Sequence, residues 1–267
     1  MPATPTSDQQ NIPSLGAPAW TDRELVGDPH ANAEKPDKVR RMFSAIAPAY
    51  DLNNRLHSLW RDQAWRRFAV RRARVAPGDL CLDIACGTGD LTELLAASSA
   101  SRVIGVDFTP RMLEIARAKI DRRAAAVRAK VEYEEGDASA LRFPDAFADV
   151  LTIAFGIRNV SDPGKAVREF ARVLKPGGRL VILEFDRPTF LPARWLNDFY
   201  CGWVMPRTAT WISRDRSGAY KYLPKSVGAF MSRGMVVQTL GMEGFTGVRA
   251  IPLTLGICVC YVGVRAE

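Results

Sequence analysis

The sequence predicts an α/β fold: an open, mostly parallel seven-stranded sheet with an antiparallel edge hairpin and a helical cap. Three observations carry this. Short apolar runs alternate with segments of helical period from Gly78 onward, the pattern of a parallel sheet covered on both faces. A glycine-rich turn follows the first of these runs, where doubly wound sheets place their ligand loops. The last two runs have no helical segment between them and so pair directly as a hairpin.

The expected strands are 79–84, 102–107, 130–135, 150–155, 179–185, 247–253 and 257–264. Helix-like segments at 91–97, 111–129 and 164–174 separate several of them; in the last, Val167, Phe170, Val173 and Leu174 form an apolar stripe, and Lys175, Pro176 and Gly177 stop it. Ahead of the sheet, Pro36 and Asp37 suit a first helical turn, with Val39, Met42, Phe43 and Ile46 at helical spacing and Pro48 as the expected end. A second amphipathic stretch, 56–72, carries Trp60, Trp65 and Phe68. One interval breaks the βα rhythm: residues 186–231, with Trp195, Phe199, Tyr200, Trp203, Trp211, Tyr220 and Tyr222. It is read as a helical cap, or the roof of an apolar pocket. Residues 1–35 are rich in Pro, Ala, Ser, Asp and Gln without apolar period, which predicts a disordered tail. One domain, 36–267, follows, opening with N-terminal helices over 36–76.

With 267 residues and 47% hydrophobic content, the chain can bury one sizeable core. Its net charge is +8. The first 35 residues hold two basic and five acidic side chains, leaving 35 basic against 24 acidic for the rest. A basic body attracts nucleic acid, anionic lipid or acidic ligands, and charge alone does not choose among them. Five cysteines without a CxxC pair and only two histidines, His30 and His57, give a zinc site little to draw on; no metal site is expected. The cysteine usage fits a reducing, cytoplasmic compartment. No run approaches the roughly 20 apolar residues of a membrane span.

The most informative local sequence is Leu82-Asp83-Ile84-Ala85-Cys86-Gly87-Thr88-Gly89-Asp90. Gly87 and Gly89 permit a tight strand-to-helix turn and close approach to a ligand. A dinucleotide site prefers G-x-G-x-x-G, and the sixth position here is Thr92. That counts against a dehydrogenase, and Asp83 better suits a ligand carrying positive charge. Asp107 ends the next strand, where an acid meets ribose hydroxyls, and Asp137-Ala138 follows the third, offering an acid and backbone N–H groups to a base edge. Three acids at three successive strand ends point to a nucleoside site, although each alone could be a helix cap.

On these motifs the chain resembles the class I, Rossmann-like S-adenosylmethionine-dependent methyltransferases, and among them the C-methyltransferases of quinone biosynthesis. Residues 39–53, VRRMFSAIAPAYDLN, resemble that family's N-terminal signature with its Tyr-Asp pair. Phe155-Gly156-Ile157-Arg158-Asn159-Val160 resembles its FGxRNV segment, and 172–185, RVLKPGGRLVILEF, its fifth-strand motif. Tyr220-Lys221-Tyr222-Leu223 followed by Ser226 is a further similar stretch. The cofactor loop and KPGG turn recur across many methyltransferases; the first two signatures are narrower, and together the resemblance spans roughly 37–264. Phe230-Met231-Ser232-Arg233-Gly234 departs from the family's more polar run.

The resemblance implies S-adenosylmethionine as cofactor, with Thr88, Asp107, Asp137 and Ala138 as contacts. It adds Ala154, where the family often carries Ser. It implies a lipid quinol acceptor, of the menaquinone or ubiquinone series. Methylating a quinol ring carbon needs a stabilised phenolate and an acceptor for the departing ring proton. Arg158, Asn159 and Tyr50 are the candidates: Arg158 to stabilise the phenolate directly or through water, Asn159 to orient that water, and Tyr50 to close the pocket. Arg is too basic to act as the base itself. His57 is a weaker alternative base, more simply structural. A prenyl tail resides in a bilayer, so a basic body with tryptophans in the insertion predicts peripheral contact with an anionic membrane. A homodimer or a quinone-synthesis complex are the candidate assemblies. Nucleic acid is not an expected partner: the fourth strand ends Ala154-Phe155-Gly156-Ile157-Arg158, without the (D/N)PP(Y/F) turn of base methylation. A non-catalytic scaffold that binds the cofactor is the rival from another class.

Overall fold

A computed structural model describes residues 18–267. Seven strands form one sheet in the order β3-β2-β1-β4-β5-β7-β6. They are β1 Leu80–Ile84, β2 Arg102–Asp107, β3 Val131–Glu135, β4 Ala148–Ala154, β5 Leu174–Phe185, β6 Phe245–Leu253 and β7 Cys258–Arg265. The first five run parallel; β7 lies antiparallel between β5 and β6, so the hairpin closes one edge as expected. The central strands are buried on both faces: Leu82, Ile84, Ile104, Leu151 and Ile182 pack on one side, Cys81, Val103, Val150, Val181 and Cys260 on the other. Chain order reverses between β1 and β4, which opens a crevice at their carboxyl ends.

Helices α3 Asp90–Ala96, α4 Pro110–Ile120, α5 Ala125–Arg128, α6 Pro163–Val173 and α10 Arg233–Met242 flank the sheet. The single segment expected over 111–129 is therefore two helices. In α6, Asp162 caps the start by accepting from Lys165 N at 2.9 Å, and Ala166, Val167, Phe170 and Val173 are its buried stripe. Helix α1, Lys35–Ser58, runs straight through Pro48, which corrects the expected stop. The ring deletes one N–H in a turn whose Pro is exposed, while Ile46 and Ala47 before it and Asn53 beyond it are buried. The stretch expected to begin at 56 breaks instead at Leu59 and Trp60, both at positive φ, and α2 starts at Arg61 and ends at Ala73.

The insertion is helical: α7 Leu191–Phe199, a π turn Tyr200–Val204, α8 Met205–Ser213 and α9 Ala219–Ala229. It packs on α1 through Met205, Ala209, Tyr220 and Tyr222. The same cluster buries Ala19, Trp20 and Leu25. Residues 18–35 therefore do not belong to a disordered tail; one tryptophan anchors a segment whose composition gives no periodic signal. Residues 1–17 of that expected tail lie outside the described residues.

Candidate active site

The crevice is a cleft of about 810 Å³ with the open space at its mouth included. Ala85, Gly87, Asp107, Phe108, Met112, Asp137 and Ala138 line one part, and Phe43, Tyr50, Phe155, Asn159 and Val160 the other. Ala154 lines both this cleft and a smaller pocket under the loop, shared by Asp83, Thr88, Tyr50 and Arg66. The ends of β1 and β4 approach so closely that a Cβ on Gly156 would lie 2.5 Å from that of Ala85. Ala85 and Phe155, both on the wall, hold φ of 51° and 60°, a conformation costly for side-chain-bearing residues.

Around the loop, the two glycines serve different ends. A Cβ on Gly87 (φ 56°) would meet nothing within 4 Å, so its face is open to a ligand. A Cβ on Gly89 would stand 2.2 Å from Tyr133 Oη; this glycine makes room for a buried ring rather than for a ligand. The Asp107 carboxylate secures the loop by accepting from Gly87 N and Thr109 N, each at 2.8 Å. Burial raises its pKa against those hydrogen bonds. Each oxygen keeps a lone pair for a ribose hydroxyl. Asp137 accepts from Ser139 N at 2.8 Å.

Asp83 sits deeper than expected. Thr92 and Thr152 donate hydroxyl hydrogen bonds to it at 2.6 and 2.8 Å, and burial lifts its pKa to about 6. Thr88 Oγ1 donates to Asp51 of α1 at 2.5 Å, and Lys119 Nζ bridges Asp51 (2.7 Å) and Asp90 (2.5 Å). This network ties the first helix to the loop. Asp51 was legible as half of the Tyr-Asp pair; Lys119 gave no signal.

In the other part of the cleft, the structure brings Tyr50 and Asn159 to the wall but not Arg158. The Arg158 guanidinium is 5% exposed and donates to Glu184 Oε1 at 2.6 Å and Phe155 O at 2.8 Å. Glu184 also accepts from Phe185 N at 2.8 Å and Arg158 N at 3.3 Å. Of the two routes expected for Arg158, direct or through water, the direct one is not what this arrangement presents: the ion pair takes up Nη1. Asn159 donates to Phe155 O at 3.3 Å and accepts from Tyr222 Oη at 3.1 Å. Burial raises the Tyr50 pKa, so its phenol keeps its proton and can donate. His57 joins Asn53 O and Thr208 Oγ1, each at 2.9 Å, a brace between α1 and α8 with no place on the cleft wall. Sequence reasoning missed Tyr222 as the partner of Asn159, and the apolar walls Phe43, Phe108 and Met112. Among the described residues no cluster of His, Cys, Asp or Glu could hold a metal.

The open face at Gly87, the acids at the ends of β2 and β3 and the apolar walls between them fit the nucleoside and sulfonium of S-adenosylmethionine. The fold and this crevice define the class: a doubly wound, S-adenosylmethionine-dependent methyltransferase. The chain belongs to the ubiE/COQ5 methyltransferase family, which it matches over residues 31–265. It is 41% identical over 234 residues to the ubiquinone/menaquinone biosynthesis C-methyltransferase UbiE of Geotalea daltonii, covering 87% of this chain and 98% of that protein. It is 45% identical over 225 residues to the demethylmenaquinone methyltransferase of Thermus thermophilus, covering 84% and 100%. Among solved structures, an S-adenosylmethionine-dependent methyltransferase from Aquifex aeolicus superposes with a TM-score of 0.51 at 19% identity, covering 72% of this chain and 84% of that one. Haemonchus contortus phosphoethanolamine N-methyltransferase 2, in complex with S-adenosyl-L-methionine, gives 0.56 at 16%, covering 75% and 52%. These two show the shared fold.

Proposed function

We propose that this protein transfers a methyl group from S-adenosylmethionine to a ring carbon of a prenylated quinol, demethylmenaquinol or the corresponding polyprenyl methoxybenzoquinol. The observation that carries the proposal is a single cleft that runs from Gly87, Asp107 and Asp137 to an aromatic part bearing Phe43, Tyr50, Phe155 and Asn159. Asp107 would hold the ribose, Asp137 and Ala138 the adenine edge, and Gly87, Thr88, Asp83 and Ala154 the methionine end. When bound, the cofactor supplies an already activated methyl group.

The protein's own task is then to place and activate the acceptor ring. Tyr50, protonated in its buried setting, donates to the quinol oxygen and stabilises its charge as the proton leaves. Asn159 has a second Nδ2–H beyond the one given to Phe155 O, available to the same oxygen or to a water that takes the ring proton. Arg158, locked to Glu184, acts by shaping the turn that presents Asn159. Phe43, Phe155 and Val160 exclude bulk water.

Contact with an anionic bilayer belongs to the same reading. Trp195, Phe199 and Trp203 stack along the outer side of α7 and the π turn, with centroid spacings of 6.3 and 5.8 Å. Arg207 covers Trp203 at 4.6 Å, and Trp211 continues the line. Trp195 is 73% and Trp211 82% exposed. Aromatic and arginine side chains aligned in this way suit the headgroup layer. Among the described residues no helix is long and apolar enough to cross a membrane.

The test is transfer of labelled methyl from S-adenosylmethionine to reduced demethylmenaquinone and to a reduced polyprenyl methoxybenzoquinone, offered separately. Label in the lipid fraction with either supports the proposal and settles the head group. Cofactor binding without transfer to either would overturn it in favour of a cofactor-binding scaffold or another acceptor.

A further inference from the structure

Residues 19–30 precede the stretch that the family shares, yet they are built onto the wall of the acceptor pocket. Trp20 is 2% exposed and lies flat on the Tyr222 ring, with centroids 4.7 Å apart and planes 20° from parallel. Its backbone N–H donates to Ser217 O at 3.0 Å. Gly218 completes the seat: a Cβ there would come 2.6 Å from Trp20 O. Lys38 Nζ stands 5.8 Å over the indole while pairing with Glu24 at 2.8 Å, and His30 Nε2 meets Ser226 O at 2.9 Å. The chain thus forms a strap across α9, whose Tyr222, 1% exposed, carries the hydroxyl that fixes the Asn159 amide.

We propose that Trp20 and Tyr222 are positioning residues for the methyl acceptor: the indole holds the Tyr222 ring, and the Tyr222 hydroxyl sets which face of the Asn159 amide the cleft presents. An amide has one acceptor and two donors. With Oδ1 committed to Tyr222 and one N–H to Phe155 O, the remaining N–H is the group left for the acceptor. Without the Tyr222 hydroxyl, Oδ1 loses its donor and the amide is free to flip. The strap therefore feeds specificity into the site from outside the family's shared segment. This inference rests on the proposed methyl transfer, and its test includes a readout that does not.

The experiment uses the full chain and three variants: Trp20→Ala, Trp20→Phe and Tyr222→Phe. Tyr222→Phe keeps ring and stack but removes the hydroxyl. Its kcat is expected to fall about fivefold to tenfold, the loss of one net hydrogen bond, while the Kd for S-adenosylmethionine stays within about twofold, the spread of a site left untouched. Trp20→Ala is expected to match or exceed that loss in kcat, and Trp20→Phe to restore most of it. Independently of turnover, the Asn159 side-chain amide signals in ¹⁵N spectra, assigned through Asn159→Asp, are expected to be sharp in the parent chain. They should be displaced or broadened in Tyr222→Phe and Trp20→Ala. Unchanged amide signals and unchanged kcat in Tyr222→Phe would overturn the proposal, as would failure of Trp20→Phe to rescue. If Trp20→Ala does not fold, Tyr222→Phe and Trp20→Phe still decide. A parent chain that transfers no methyl refutes the function above, and the amide signals still judge the strap.

Discussion

Asp83 carries a cost that a single substitution should release. The carboxyl lies beneath the loop with no exposure to speak of, and burial lifts its pKa from 3.8 to about 6. Between those values the folded state holds a proton that the unfolded chain has released, so stability falls as pH rises through this window and stays lowered above it. Keeping the ionised carboxylate buried costs roughly 3 kcal/mol at pH 8. About half of that penalty is already present at pH 5, so roughly 1–2 kcal/mol develops between pH 5 and 8. Asp83→Asn is neutral throughout. It offers one acceptor where the carboxylate offered two, but Thr152 Oγ1 also reaches Leu82 O at 3.5 Å and can accept from the new amide. That limits the hydrogen-bond loss to about 1 kcal/mol. The variant should therefore be more stable at pH 8 by about 2 kcal/mol, with an advantage that grows by about 1–2 kcal/mol from pH 5. Urea unfolding of both proteins at four pH values between 5 and 8, with m held constant, measures it. Pairing the two proteins cancels other titrating groups, Asp90 with its pKa near 2 among them. A difference that does not vary with pH would refute the reasoning. Under the proposed function the same substitution weakens binding of S-adenosylmethionine more than that of the demethylated product, which lacks the sulfonium charge.

Glu184→Gln leaves the buried Arg158 guanidinium without its counter-charge and should cost about 3–5 kcal/mol, whereas the paired change Arg158→Met with Glu184→Leu should recover most of it; urea midpoints of the three proteins separate the cases. Gly89→Ala drives a methyl group to within 2.2 Å of Tyr133 Oη at a φ of 82° and is expected to cost about 1–3 kcal/mol and to weaken cofactor binding by calorimetry. Because that hydroxyl has no partner among the described residues, adding Tyr133→Phe should return part of the loss. Replacing Trp195, Phe199 and Trp203 together with Ser should abolish sedimentation with anionic liposomes without lowering the thermal midpoint, since all three are exposed; retained sedimentation would remove this face from the membrane reading.

The sheet was legible because its signals are local. Residues 102–107 form β2 as expected, and a buried strand, a glycine turn and a helix start announce the loop within ten residues. Departures arose where distant packing overrode a local rule. Pro48 does not end α1 because the turns on either side of it are held by burial against other elements. Leu59 and Trp60 break the next stretch although neither is a usual helix breaker. Arg158 sits in the expected segment, but Glu184, the residue that decides where its charge points, lies 26 positions away on β5. Trp20 was hidden in a segment whose composition argues for disorder, since one anchored aromatic leaves no periodic trace.

The two halves of the cleft are accordingly built on different principles. The cofactor half is assembled from strand ends that neighbour one another in the sheet, with Asp107 spanning only from Thr109 to Gly87. Its geometry follows from the strand order, with the Thr88 to Asp51 hydrogen bond tying α1 to the loop. The half proposed for the acceptor is made of α1, the turn at Ile157–Asn159 and α9, joined by contacts such as Tyr222 to Asn159, Lys35 Nζ to Val160 O at 2.6 Å and Trp20 to Tyr222. None of these contacts is a pairing within the sheet. A chain can therefore keep its methyl donor fixed while its acceptor pocket is reset by a strap, a cap or a single aromatic stack. In this protein the element free to do so begins before the segment by which its family is recognised.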